Sequence, residues 1–422
     1  MNGNNLTARR IVIAMLALAF CCWAIWQSAR IGIARTASRN VTLGDLTSPI
    51  DRAVKLSPAD AEVHYARGDV LQNTQDYAQA KIEFERAVQL RPRDYFLWVV
   101  LGVARDADGD REGALRALRQ AVALAPNYAR PRWQLGNVLL RRGQIDEAFL
   151  ELRNAAHSDP TTLPVVIDLA WGIYGHDPQS VATVLQPEND STRLALALFF
   201  ARHNQPAAAA EQFLLTKGKA GAKGEVLLDE LLKARAFGDA YQVWARMRGV
   251  SVTNPVGVFV DGDFEGLLAS GQAGFGWQIA PSITNVEMSV DTSERHSGAR
   301  SLHIEFRGNS NPGAPLLTQL IMVNPQTRYR ISFAASSKDF VSAASPIVTI
   351  TDASDPKNAP LAQSPPLAPD KGGWRSFTLD LTTSAATRAI LVSVARQSCA
   401  NDPCPAFGAL WLDAFSMDTV AR

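Results

Sequence analysis

Three patterns of apolar positions divide the chain. Between Ile11 and Trp26 no residue is charged, and the run extends to Ala29, 19 residues in all, close to the ~20 that a helix needs to cross a hydrocarbon core. Trp23 and Trp26 stand near its outer end, where membrane interfaces collect indole rings, and residues 1–10 form a polar tail before it. The middle of the chain shows helical spacing interrupted at regular intervals by Gly and Pro. From Asn254 onward, Gly, Ser, Thr and Pro increase and short alternating runs appear, the signature of half-buried strands.

The middle pattern has a period of 34 residues: Gly68, Gly102 and Gly136; Ala80, Ala114 and Ala148; Ala87, Ala121 and Ala155; Pro58, Pro92, Pro126 and Pro160. Phe84, Leu118 and Leu152 follow each first alanine by four residues and share its helical face. Two antiparallel helices need small residues where they cross, and proline ends the second because its ring clashes with the preceding turn. Gly109 and Gly143 mark the turn within a unit, with Gln75 in the first. Residues 45–160 thereby resemble the tetratricopeptide repeat (TPR) family. His64 and Arg132 stand where Trp98 holds the large aromatic position, with Tyr65 and Trp133 one residue on, so packing there is expected to be shifted. Ile50, Ala53, Leu56 and Pro58 keep the phase of a second helix, and the array is expected to open with half a repeat. Residues 161–248 lose the phase and read as degenerate helical repeats, with helices at 194–202, 206–215, 225–235 and 239–247.

The resemblance implies a groove, lined by the first helix of each repeat, that receives a protein partner. Tyr65, Gln72, Trp98, Arg105, Arg132 and Asn137 are its candidate residues. Trp98 at that register is more often buried packing, and Arg105, standing where a core residue is expected, serves equally well as a solvated group. The basic Gly-rich stretch Lys217 to Gly224 lacks the preceding strand and the Gly-Lys-Ser/Thr ending of a nucleotide loop, and reads as a solvated connector.

In the last third, strands are predicted at 301–307, 317–323, 328–335, 347–351, 375–381, 389–395 and 410–417, enough for a sandwich or jelly roll. Asp261-Gly-Asp-Phe-Glu265, Trp277, Ser297-Gly-Ala-Arg-Ser-Leu302, Pro325-Gln-Thr-Arg-Tyr329, Gly373-Trp374 and Leu412-Asp413 follow one another in an order that resembles the galactose-binding-like jelly rolls, which include many carbohydrate-binding modules. The domain is set at 256–418. The resemblance implies a structural calcium held by acids of the first and last strands, here Glu265 and Asp413 with Asp263 adjacent. Hard oxygen ligands suit that ion, though a carboxylate in such a place equally serves to bond backbone amides. It also implies aromatic platforms for a glycan, for which Tyr329, Phe340, Trp374 and Trp411 are the candidates. Trp277 and Trp374 match phrases whose aromatics more often pack the core.

Composition narrows the function. Lys plus Arg number 42 against 41 Asp plus Glu, so no net field draws the chain to nucleic acid. No His-Glu-x-x-His or Gly-x-Ser-x-Gly occurs, and Asp261, Asp263 and Glu265, read as alternating along one strand, lack an opposing acid; no catalytic residues are assigned and no enzyme is expected. Cys399 and Cys404 flank a turn-rich loop that a disulfide would close, which requires an oxidising compartment. Cys21 and Cys22 follow Phe20, where lipoprotein signals have a small residue. Arg9 and Arg10 precede the apolar run and Arg30, Arg35 and Arg39 follow it, so the positive-inside rule is nearly balanced; a signal peptide cleaved near Gly32-Ile-Ala34 is the alternative. The expected molecule is multidomain: one N-terminal transmembrane helix (11–29), an all-α TPR solenoid and an all-β jelly-roll sandwich. It would sit in a bacterial inner membrane with its bulk periplasmic, as a scaffold for protein–protein interaction that also recognises an envelope glycan. By analogy this places it in exopolysaccharide or O-antigen assembly. The rival readings are a polysaccharide-processing enzyme docked through its repeats, and a purely structural interaction protein.

Overall fold

The computed structural model describes residues 3–39, 48–218, 221–250, 255–266, 273–280, 283–355, 357, 359–367, 373–399 and 403–421. These form two compact units that meet in sequence between Gln186 and Pro187.

The first unit is helical: α1 (Gly3–Arg39), α2 (Ser48–Leu56), α3 (Ala61–Asn73), α4 (Tyr77–Leu90), α5 (Tyr95–Ala107), α6 (Arg111–Leu124), α7 (Ala129–Arg141), α8 (Ile145–Ser158), α9 (Leu163–Ile173) and α10 (Pro178–Leu185). The helices pack as hairpins α3/α4, α5/α6 and α7/α8. Aspartates start the helices of the first two hairpins, Asp60 and Asp94 capping first helices and Asp76 and Asp110 capping second helices through backbone amides. Gln75, Gly109 and Gly143 all take positive φ, 63°, 86° and 72°, which closes each hairpin in a left-handed turn. The glycine column is a matter of space. A Cβ on Gly68 would meet the Phe84 ring at 2.6 Å, one on Gly102 would meet Leu118 at 2.6 Å, and one on Gly136 would meet Leu152 at 2.7 Å.

The array does not open with half a repeat. Ala34 stands one period before Gly68, Ile50 one period before Phe84, and Ala53 one period before Ala87; Ala34 and Ala53 are fully buried and Ile50 is 2% exposed. The last turns of α1 supply the missing first helix, pairing with α2 and packing Ala34 in one cluster with Ala53 and Val63. Arg35 locks the joint, its Nε and Nη2 donating to the Asp60 carboxylate at 2.7 and 3.1 Å. One helix therefore continues from the apolar segment into the repeats. Residues 40–47, where the array was expected to start, lie outside the described residues.

The second unit begins with α11 (Asp190–Arg202), α12 (Pro206–Leu214), α13 (Gly221–Lys233) and α14 (Phe237–Arg248). Its strands are β1 (Gln278–Ile279), β2 (Val286–Asp291), β3 (Ser301–Asn309), β4 (Leu317–Met322), β5 (Arg328–Ser342), β6 (Pro346–Asp352), β7 (Pro360–Gln363), β8 (Arg375–Thr382), β9 (Ala389–Arg396) and β10 (Pro405–Thr419). They form two antiparallel sheets, ordered β1-β4-β9-β6-β7 and β2-β3-β10-β5-β8. Alternate residues such as Leu302, Ile304, Phe306, Ile350, Val392 and Leu412 fill the space between them. Every predicted strand is present. The unpredicted β1, β2 and β7 are sheet edges, where half-buried residues blur the alternation. Tyr241 and Trp244 of α14 pack edge-on against Phe275, which seats the helices on the β-domain.

Replacing Gly102 by valine is expected to cost about 1–3 kcal/mol through overpacking against Leu118. Replacing Gly172, which has no atom within 4 Å of an added Cβ, by alanine should be neutral or stabilising by up to ~1 kcal/mol. Denaturant unfolding of the two variants checks this, and the reverse order would contradict the crossing geometry.

Candidate functional site

One register on the first helices explains the mixed identities at the aromatic position. His64 Nε2 contacts the Pro58 carbonyl at 3.0 Å, Trp98 Nε1 donates to Pro92 at 2.9 Å, and Arg132 Nε donates to Pro126 at 2.7 Å. Each side chain satisfies the carbonyl of the proline that ended the preceding helix. What the three share is a ring or guanidinium nitrogen rather than a common shape, aimed at the same carbonyl in each repeat. His64 and Arg132 reach further, to Glu83 at 2.7 Å and Glu151 at 2.6 Å on the second helices. Arg105 is also tied inward, donating to the Gly113 carbonyl at 3.1 Å and to Glu85 at 2.8 Å.

Trp98, Arg105 and Arg132 are thus half-buried and each tied to other parts of the array. Gln72 and Asn137 remain half-buried on their first helices, and the Gln72 side-chain oxygen has no hydrogen-bond partner among the described residues. Tyr65 stands edge-on to Phe96 with ring centroids 5.4 Å apart, and the Arg130 guanidinium lies 4.8 Å over the same Phe96 ring. This row across three successive first helices includes two residues that sequence reasoning missed. Their common place in the opening turns of α5 and α7 was the available signal.

In the β-domain the candidate acids are engaged separately. Asp413 is fully buried; its Oδ2 accepts from the amides of His296 and Ser297 at 2.9 and 2.8 Å, and its Oδ1 from Ala414 at 2.6 Å. Glu265 Oε1 accepts from the amides of Ala299 and Arg300, while Asp263 is exposed. No group of three or more His, Cys, Asp or Glu residues able to hold a metal occurs among the described residues. The set does not fit calcium; two carboxylates instead clasp the segment before β3. Asp261 and Phe264 take positive φ in a run of turns, which replaces the strand expected across Asp261, Asp263 and Glu265.

The aromatic candidates separate in the same way. Tyr329 is 1% exposed, its hydroxyl accepting from the Asn324 amide at 2.9 Å, and Phe340 packs edge-on to Phe306 inside the sandwich. Trp411 faces outward, but His303 stacks on it at 4.8 Å and its indole donates to Asp291, leaving 8% exposure. None of these three offers a face to a sugar. Trp374 is half-buried beside β8, 5.6 Å from the His296 ring. Trp277 is core, donating to the Asp261 carbonyl. Phe407, missed from sequence, is 51% exposed, and its register partner Val341 is 69% exposed. On its other flank lies Arg307, paired with Glu287 at 2.8 Å.

Two loops close locally. Cys399 and Cys404 are disulfide-bonded, and buried Arg396 donates to the carbonyls of Ser310, Ala344 and Cys404, fixing Cys404 to the sandwich. In the basic Gly-rich stretch the amides of Lys217 and Gly218 donate to Asp190, so the chain's own carboxylate fills the place an anion would take.

Comparison with known proteins agrees with this geometry. Family models for tetratricopeptide repeats match residues 61–94 and 107–170, and one described as a carbohydrate binding domain matches residues 256–401. The BBSome complex member bbs-4 of Caenorhabditis elegans is 28% identical over 104 residues, 24% of this chain and 22% of that protein. DnaJ homolog subfamily C member 3 of Mus musculus is 30% identical over 103 residues, 24% of this chain and 20% of that protein. The chain thus spans about a fifth of the length of these curated relatives. Among solved structures, YrrB, a TPR protein with an unusual peptide-binding site, is 21% identical over 47% of this chain and 80% of its own, with a TM-score of 0.25, too low to carry an argument. The chain carries tetratricopeptide repeats followed by a carbohydrate-binding domain, both non-catalytic kinds of domain.

His64 gives the array a pH dependence. Both ring nitrogens face acceptors, which only the doubly protonated imidazolium satisfies. The hydrogen bond to Glu83 raises its pKa above the usual 6.5 against the opposing effect of burial. The stabilisation is complete below the unfolded value and is lost as pH rises through the folded one. Melting temperature should therefore fall as pH rises above about 6.5, with a shallower fall in His64→Gln; equal slopes would contradict the assignment.

Proposed function

We propose that this protein is a membrane-anchored scaffold that holds a protein partner on its repeats and a glycan on its β-domain. The observation that carries the reading is the double role of α1. Its N-terminal half exposes Leu16, Leu18, Phe20, Trp23 and Trp26, each by more than half, while Ala34 and Ser38 are buried in the array. Cleavage after Ala34 would remove most of the first helix of the solenoid, uncover Ala53 and Val63, and leave Arg35, the cation closest to Asp60, on a loose terminus. A retained anchor avoids all three. The bonded Cys399 and Cys404 support an oxidising compartment for the bulk of the chain, and we place it on the periplasmic side of a bacterial inner membrane.

The repeats supply the Tyr65, Phe96 and Arg130 row, with Gln72 and Asn137, as the partner surface. An envelope polysaccharide under assembly is the proposed glycan, contacted by Trp374 and by Phe407 on the outer face of the second sheet. We assign no catalysis, because Asp413 and Glu265 are engaged by backbone amides rather than aimed at a reacting bond.

A glycan array probed with the full chain, with calcium and with chelator, tests this reading. Binding to an envelope polysaccharide that is unchanged by chelator is expected, with Trp374→Ala and Phe407→Ala each weakening it about tenfold, the size of one lost aromatic contact. Binding to no glycan would leave the structural reading in its place, and turnover of a polysaccharide would establish the enzymatic one.

A further inference from the structure

The entry of α1 into the array determines which edge of the repeats faces the bilayer. In each hairpin the first helix runs away from one edge and the second returns to it. Because α1 is the first helix of the opening hairpin and its N-terminal part is the apolar span, the bilayer lies on the edge where second helices end. That edge consists of the connections 57–60, 91–94 and 125–128. The 34-residue phase puts Pro58 in register with Ala24, between Trp23 and Trp26 and thus at interfacial depth.

The chemistry of this edge differs from that of the opposite one. Lys55 and Arg93 are exposed and have no ion pair among the described residues. Leu56 is 39% exposed and Tyr128 57% exposed, the latter packed 5.0 Å from Tyr95. The edge's carboxylates are engaged, Asp60 capping α3 and binding Arg35, and Asp94 capping α5. The opposite edge is richer in acids: Asp76 and Asp110 cap second helices, Asp108 is paired with Lys81, and Arg141 and Arg142 are paired with Asp106 and Glu112, with Arg111 exposed beside them.

We propose that the edge bearing Lys55, Arg93 and Tyr128 rests on the lipid headgroups of the bilayer that α1 crosses. Lys55 and Arg93 meet lipid phosphate, as basic juxtamembrane groups do, and Leu56 and Tyr128 enter the interface. The repeats then lie against the membrane, with the acidic turns directed away from it. This inference rests on the reading of α1 as a retained span.

The full chain, with Cys21 and Cys22 replaced by alanine, is placed in nanodiscs of phosphatidylcholine with or without phosphatidylglycerol. A fluorophore is attached after Lys55→Cys, Arg93→Cys or Tyr128→Cys, and on the other edge after Asn73→Cys or Arg111→Cys. A headgroup-linked quencher should act at least about twofold more strongly on the first three, and the difference should grow with anionic lipid. In the Tyr128→Cys chain, K55E with R93E should abolish that growth. Incorporation with equal quenching at both edges would overturn this inference alone. Failure of the chain to enter the discs would overturn the anchor and this inference together.

Discussion

Ala34 packs, fully buried, with Ala53 and Val63 at a helix crossing, and the organisation of the N-terminal unit depends on that contact. It converts the end of an apolar helix into the first helix of a solenoid. The Arg35 pair with Asp60 reinforces the joint from the other side, because Asp60 is also the cap of α3. A helix that supplied only a membrane anchor would have no need of a buried alanine in phase with Gly68, Gly102 and Gly136.

The same economy of roles recurs through the molecule. His64, Trp98 and Arg132 differ in shape and charge, yet each satisfies a proline carbonyl that would otherwise lack a donor at the junction of two repeats. Asp413 and Glu265 do for the β-domain what the aspartate caps do for the helices. They hold a turn by accepting several backbone amides.

Legibility in the sequence followed the strength of the steric constraint. The Gly, Ala and Pro columns were readable because a larger residue at a crossing has no room, and the central strands because burial enforces their alternation. The donor register was hidden because three side-chain types perform one task. The first helix of the opening repeat was hidden because alanine stands there in place of glycine and the sequence after it carries no repeat signature. Tyr329 and Phe340 fall on opposite faces by simple alternation, but Asp339 takes a φ of 52°, and the irregularity in β5 turns Phe340 inward as well. Phe407 was missed because β10 begins at Pro405, five residues before the predicted strand.

The most direct measurement is the N-terminus of the mature protein recovered from membranes, read by intact mass and terminal peptide mapping. If α1 serves both as span and as first helix of the array, residues 11–34 are present in the folded, membrane-associated protein. A mature chain beginning at or after Arg35, folded and released from the membrane, would contradict it.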